Sequence, residues 1–115
     1  MRPGVPENWS TQLRKGILEL CVLNACRGDA MYGYDIVRRL RAIRGLMIRE
    51  GTVYPILNRL KREGLLATEI VESREGPARK YYRLTPAGSS MLSAMNEHWK
   101  ELIEGIDALV QEKPS

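Results

Sequence analysis

Residues 50–66 read EGTVYPILNRLKREGLL, and the fold is decided by how this stretch is placed. Val53, Ile56, Leu57 and Leu60 recur at helical spacing and define a buried stripe, and Gly64 closes the run. With the helix starting around Gly51-Thr52 and Thr52 as its N-cap, Pro55 falls in the first turn, where a missing N–H is harmless. Removing the buried stripe leaves Gly51, Pro55, Asn58 and Arg62 as one continuous polar ridge, flanked by Thr52, Tyr54 and Arg59. Asn pairs well with adenine and Arg with guanine at base edges, while Thr and Tyr hydroxyls suit phosphate oxygens. The outer face of this helix is therefore furnished for a nucleic-acid groove.

Two helices are expected before it. The first spans Gln12 to Cys26, capped by Ser10 or by Thr11, and presents Leu13, Ile17, Leu20 and Cys21 on one face. The second runs from about Tyr32 to Arg44, with Ile36, Val37, Leu40 and Ile43 facing inward and Gly45 as its stop.

After Gly64 the period changes from helical to alternating. Leu66 to Glu72 and Arg79 to Leu84 read as two strands joined by the turn residues 73–78, a hairpin that begins near residue 65. Thr85-Pro86 then signals a helix start, cap followed by first-turn proline. The final helix covers Pro86 to Gln111, and its Leu92, Met95, Trp99, Leu102, Ile106 and Leu109 alternate spacings of three and four. Such a seam calls for a partner helix, and a small body cannot cover all of it. A homodimer joined through this helix is expected.

The order helix, helix, helix, hairpin, long helix predicts a mainly α fold with a small β-hairpin (α+β). This is a winged helix-turn-helix, with the third helix as recognition helix and the hairpin as wing. Residues 1–85 would bind DNA and residues 86–115 would form the dimerisation helix. Charge follows the same division: the net +4 of the 115-residue chain resolves into +6 over 1–64, +1 over 65–85 and −3 over 86–115. Between Arg38 and Arg62 eight cations oppose only Glu50, the footprint expected for a polyanion partner.

Other classes are disfavoured. No apolar run reaches the roughly 18 residues of a membrane span, and the first residues lack the apolar core of a secretory signal. A cytoplasmic protein is expected. His98 is the sole histidine, and Cys21 and Cys26 point to different faces of one helix, so no metal site, cofactor or catalytic centre is expected. The rival class is a winged-helix adaptor that binds protein and no DNA.

The chain resembles the short-form PadR-like transcriptional regulators, with GILELCVLNAC, MYGYDIVRRL, EGTVYPILNRLKREGLL and REGPARKYYRLTPAG as the matching stretches. The resemblance implies a homodimeric repressor on a pseudo-palindromic operator, with Leu13 and Ile17 of the first helix joining the C-terminal seam at the interface. It also implies DNA contacts from Thr52, Tyr54 and Asn58 and from Arg79 and Lys80 of the wing. Tyr32 and Tyr34 match an aromatic pair of the family, for which packing on the third helix and phosphate contact both stand; Tyr34 is taken as a contact. Trp99 sits where a multidrug-sensing branch has a tryptophan that sandwiches flat aromatic ligands with its partner's copy. A planar aromatic effector would then meet Met95, Asn96, Trp99 and Ile103, although Asn96 and Ile103 depart from that branch's aromatic and acidic neighbours.

Overall fold

The structure, a computed structural model, describes residues 4–113. The outermost residues of both expected segments, 1–3 and 114–115, lie outside the described residues. Four helices and a three-stranded sheet follow in the order α1 (Glu7–Ala25), β1 (Met31–Tyr32), α2 (Gly33–Arg41), α3 (Glu50–Arg62), β2 (Leu66–Val71), β3 (Arg79–Leu84) and α4 (Pro86–Gln111). The winged helix-turn-helix order holds, and β3 and α4 keep the bounds read from sequence.

One apolar core joins the first three helices to the sheet. Val22 and Leu23 of α1, Ile36, Val37 and Leu40 of α2, and Val53, Leu57 and Leu60 of α3 are fully buried, with Leu66, Tyr82 and Leu92 closing the far side. The hairpin pairs Leu66 with Leu84 through to Val71 with Arg79. β1 adds a third, antiparallel strand on the other edge of β3, Met31 opposite Tyr82 and Tyr32 opposite Tyr81, giving the order β1-β3-β2. Two residues are too few for alternation to register in the sequence, so this strand was not expected.

Three helix ends differ from expectation. α1 starts at Glu7 behind extended Pro6, and Ser10 is an interior residue whose hydroxyl donates to the Glu7 carbonyl at 3.2 Å. Glu7 suits the first turn because its charge opposes the helix dipole. α2 stops at Arg41, and Ile43 is exposed, because the chain reverses at Gly45 (φ +83°) and sends Leu46 and Ile48 into the core instead. Between them Met47 adopts φ +50° with its side chain 75% exposed. α3 begins at Glu50 with Arg49 preceding it, so Thr52 is not its cap and Pro55 lies in the helix interior. The proline costs the Gly51 carbonyl its helical partner.

α3 ends in a left-handed turn at Gly64 (φ +78°), with the Leu65 N–H bonded to the Leu60 carbonyl at 3.0 Å. The same corner receives α4. The Thr85 hydroxyl donates to the Gly64 carbonyl at 2.6 Å and accepts from the Gly88 N–H at 3.0 Å, so one side chain caps α4 and ties it to the end of α3. α4 packs on α1 for its first turns and then continues past it, in a molecule measuring 64 × 33 × 20 Å. Among the described residues no helix is long and apolar enough to cross a membrane.

Candidate nucleic-acid interface

The core stripe of α3 leaves its opposite face outward, and Gly51, Thr52, Pro55, Asn58, Lys61 and Arg62 are all exposed. The ridge read from sequence is therefore a surface, and its two flanks differ.

On one flank Tyr54 is half-buried against the start of α2. Gly33 makes room there, since a Cβ on it would meet the Tyr54 and Tyr82 rings at 3.1 and 3.3 Å. Burial raises the Tyr54 phenol above its ordinary pKa, with Glu50, Tyr32 and Tyr34 adding to the effect, so it meets any partner as a neutral hydroxyl. Tyr34 is exposed beside it. Tyr32 stacks obliquely on Tyr81, ring centroids 6.0 Å apart, and the Arg79 guanidinium lies over Tyr32 at 4.9 Å. That contact holds Arg79 in place without neutralising it. Register puts Arg79, Tyr81 and Arg83 on one face of β3 and Lys80, Tyr82 and Leu84 on the other. Arg79 and Lys80, both exposed, thus leave the hairpin on opposite sides.

On the other flank Arg59 is occupied. Its guanidinium meets both Glu63 oxygens at 3.1 and 3.2 Å and Glu19 of α1 at 3.5 Å. The Glu63 hydrogen bond raises its pKa further, so the charge is fixed but directed toward carboxylates. Arg59 thus departs from the expected outward contact. Arg39 is also put to structural use, donating to the Ala25 carbonyl at the end of α1 at 3.3 Å. Part of the Arg38–Arg62 charge run serves the fold itself.

The α1–α4 face is the second candidate site. Leu13, Ile17 and Leu20 face Met91, Met95, His98, Trp99 and Leu102 across an apolar groove. Leu92, expected at a dimer interface, is 3% exposed in the chain's own core. Beyond it the seam opens: Leu102 is exposed at the edge of the groove, and Ile106 and Leu109 continue the stripe as exposed residues.

The four expected ligand residues do not converge. Met95 and Trp99 line the groove, while Asn96 turns to Asn24 of α1 in two amide hydrogen bonds of 2.9 Å. Ile103, two turns on from Asn96, shares that orientation and is also absent from the groove. Met91 and His98 take their place, and their seven-residue spacing beside Met95 and Leu102 was a readable signal.

Cys26 is fully buried and Cys21 half-buried. Burial, partly offset by Arg39, pushes the Cys26 thiol up to about 12. Among the described residues no group of three or more His, Cys, Asp or Glu side chains could hold a metal.

Comparison with known proteins agrees with this geometry. The profile described as "Transcriptional regulator PadR-like family" matches residues 22–94, from the last turn of α1 into α4. The transcriptional regulator Rv3488 of Mycobacterium tuberculosis is 31% identical over 100 residues, covering 82% of this chain and 90% of that protein. A PadR-like transcriptional regulator of Bacillus cereus superposes with a TM-score of 0.80 at 31% identity, over 89% of this chain and 99% of that one. A PadR-like transcription factor of Bacteroides fragilis is 44% identical, with a TM-score of 0.73 over 90% and 99% of the two chains.

Proposed function

Since the chain belongs to the PadR-like family of transcriptional regulators, we propose that it acts as a homodimeric repressor on a pseudo-palindromic operator. The observation that carries this reading is the exposed ridge of α3, with Asn58 and Arg62 outward on a helix whose opposite stripe of Val53, Leu57 and Leu60 is buried in the core, Ile56 being half-buried at its edge. Asn58 and Arg62 read base edges in the major groove, while Thr52, Tyr34, Tyr54 and the wing's Arg79 and Lys80 hold phosphates. Residues 1–85 meet DNA and residues 86–115 pair the subunits in the cytoplasm. The paired α4 helices set the recognition helices about 34 Å apart, one turn of DNA.

The apolar seam beyond Leu92 supports the dimer, because Leu102, Ile106 and Leu109 form an exposed stripe that a second copy would cover. An effector fits the same reading: a planar aromatic molecule enters between Met95 and Trp99 of the α1–α4 groove and shifts the spacing of the two recognition helices. Footprinting on the DNA upstream of the chain's own gene tests the central claim. A protected two-fold site, bound by a dimer in sedimentation, is expected. Absence of protection at low salt by folded dimer would reject it.

A further inference from the structure

A helix lying in a major groove about 12 Å wide has a phosphate strand on each side. Tyr34, Tyr54 and Arg79 all lie on the α2 and wing side of α3. The opposite side is the one that α1 borders, as the Glu19–Arg59 pair at 3.5 Å marks. There the start of α3 and the α2–α3 turn meet the N-terminal half of α1 across an open cleft lined by Arg14, Lys15, Arg49 and Thr52.

The walls of this cleft are fixed. The Arg14 guanidinium donates to the Leu46 carbonyl at 3.4 Å and to the Thr11 hydroxyl at 3.3 Å, clamping α1 to the turn that precedes α3. Ile48, buried beneath, anchors the backbone that presents Arg49. Lys15 and Arg49 are exposed, and among the described residues neither joins an ion pair. Among the described residues Glu7 is the one carboxylate on the rim, so three cations, with the hydroxyls of Ser10, Thr11 and Thr52, face a single anion. Among the described residues Lys15 and Arg49 have no such use in the fold, unlike Arg14, Arg39 and Arg59.

We propose that the cleft is a second phosphate site, in which Lys15, Arg49 and the Thr52 hydroxyl hold the backbone of the DNA strand on the α1 side of the groove. The inference rests on the DNA-binding reading and adds Lys15 and Arg49 to its contacts. Arg14 is a positioning residue that keeps the two walls in register.

The test measures affinity of the full chain for a mixed-sequence DNA duplex against salt concentration, for wild type, Lys15→Gln, Arg49→Gln and, as control, Lys100→Gln on α4. Removing the cation from one phosphate lowers the log–log salt slope by about 0.9, hence by about 1.8 for each cleft substitution in a dimer. Preference between operator and mixed sequence should not change, because backbone contacts carry no base information. Lys100→Gln should keep the wild-type slope. Wild-type binding with slopes unchanged by both cleft substitutions overturns the inference and leaves the DNA-binding reading intact. A wild-type chain that binds no duplex overturns both.

Discussion

Asn24 of α1 and Asn96 of α4 exchange two amide hydrogen bonds, each 2.9 Å, across the joint between the DNA-binding body and the long helix. The pair fixes the rotation of α4 about its own axis. With Asn96 held toward α1, Met95, Trp99 and Leu102 share the face that lines the apolar groove, and Ile106 continues the same stripe as an exposed residue. One polar contact in an otherwise apolar joint thus decides which stripe of α4 is left exposed.

Removing one member strands the other. Asn96→Ala leaves the Asn24 carbonyl oxygen without its donor, although the Asn24 amide keeps its 3.0 Å bond to the Leu20 carbonyl. A loss of about 1 kcal/mol is expected, and Asn24→Ala should cost a similar amount. Urea denaturation of both single variants and the double variant measures the coupling. Additive losses would show that the two amides act independently.

A larger effect is expected at Gly88. A Cβ there would collide with the Leu65 carbonyl oxygen, which already accepts from the Thr85 N–H at 3.1 Å. The obstacle is backbone, so no flexible side chain can move aside, and Gly88→Ala should cost about 3 kcal/mol. Ala87→Gly is the matched control, since it alters an exposed neighbour on the same turn. Thermal unfolding followed by circular dichroism would refute the argument if both variants melted alike.

Base reading and backbone holding separate by substitution. Asn58→Ala should relax preference at one base position of the operator by about 1–3 kcal/mol, because an exposed amide on the α3 ridge reads an edge. Arg79→Ala should weaken binding to all sequences alike and reduce the salt slope. Selection from a randomised operator library reads both. Unaltered preference in Asn58→Ala would remove that residue from the recognition surface.

The extent to which this was legible follows from how local each signal is. The α3 ridge, the hairpin and the Thr85 cap are set within a few residues, and periodicity and turn chemistry report them directly. The early stop of α2 depends on Leu46 and Ile48 outcompeting Ile43 for the core, which is a tertiary matter. Arg59 read as DNA-facing because the charge count stopped short of Glu63, its i+4 partner, and could not register Glu19 from another helix; nor could it register the Ala25 carbonyl that occupies Arg39. For the same reason Lys15 and Arg49, 34 positions apart in sequence, do not read as one cleft until α1 and α3 are placed together.

Alkali should find the buried thiol. Cys26 titrates near 9.0 when unfolded and is pushed up to about 12 in the fold, chiefly by burial, with Cys21 raised in the same direction. Between those values the unfolded chain binds fewer protons than the native one, so stability falls as pH rises. The contribution is intact below about pH 9 and lost progressively toward about 12. Tyr54 and Tyr82, also raised by burial, add their own loss above about pH 10. Denaturation midpoints between pH 8 and about 10 should therefore decline in wild type and decline less in Cys26→Ala. Equal slopes would mean the thiol ionises freely in the folded chain.

Dimerisation is tested most directly on the outer half of α4. Ile106 and Leu109 are 45% and 70% exposed on a helix that runs about 39 Å, and its own chain covers only the first turns. Ile106→Lys puts a charge into the centre of the stripe, where a second copy would have to bury it, while leaving the monomer's core untouched. The variant should keep the wild-type melting of its winged-helix body, sediment as a monomer, and lose operator affinity by far more than Arg79→Ala does. The reason is that two half-sites held by one dimer act at high effective concentration, and separate monomers forfeit that advantage even though each keeps its full set of DNA-facing side chains. A variant that remained dimeric would place the subunit interface elsewhere on the chain.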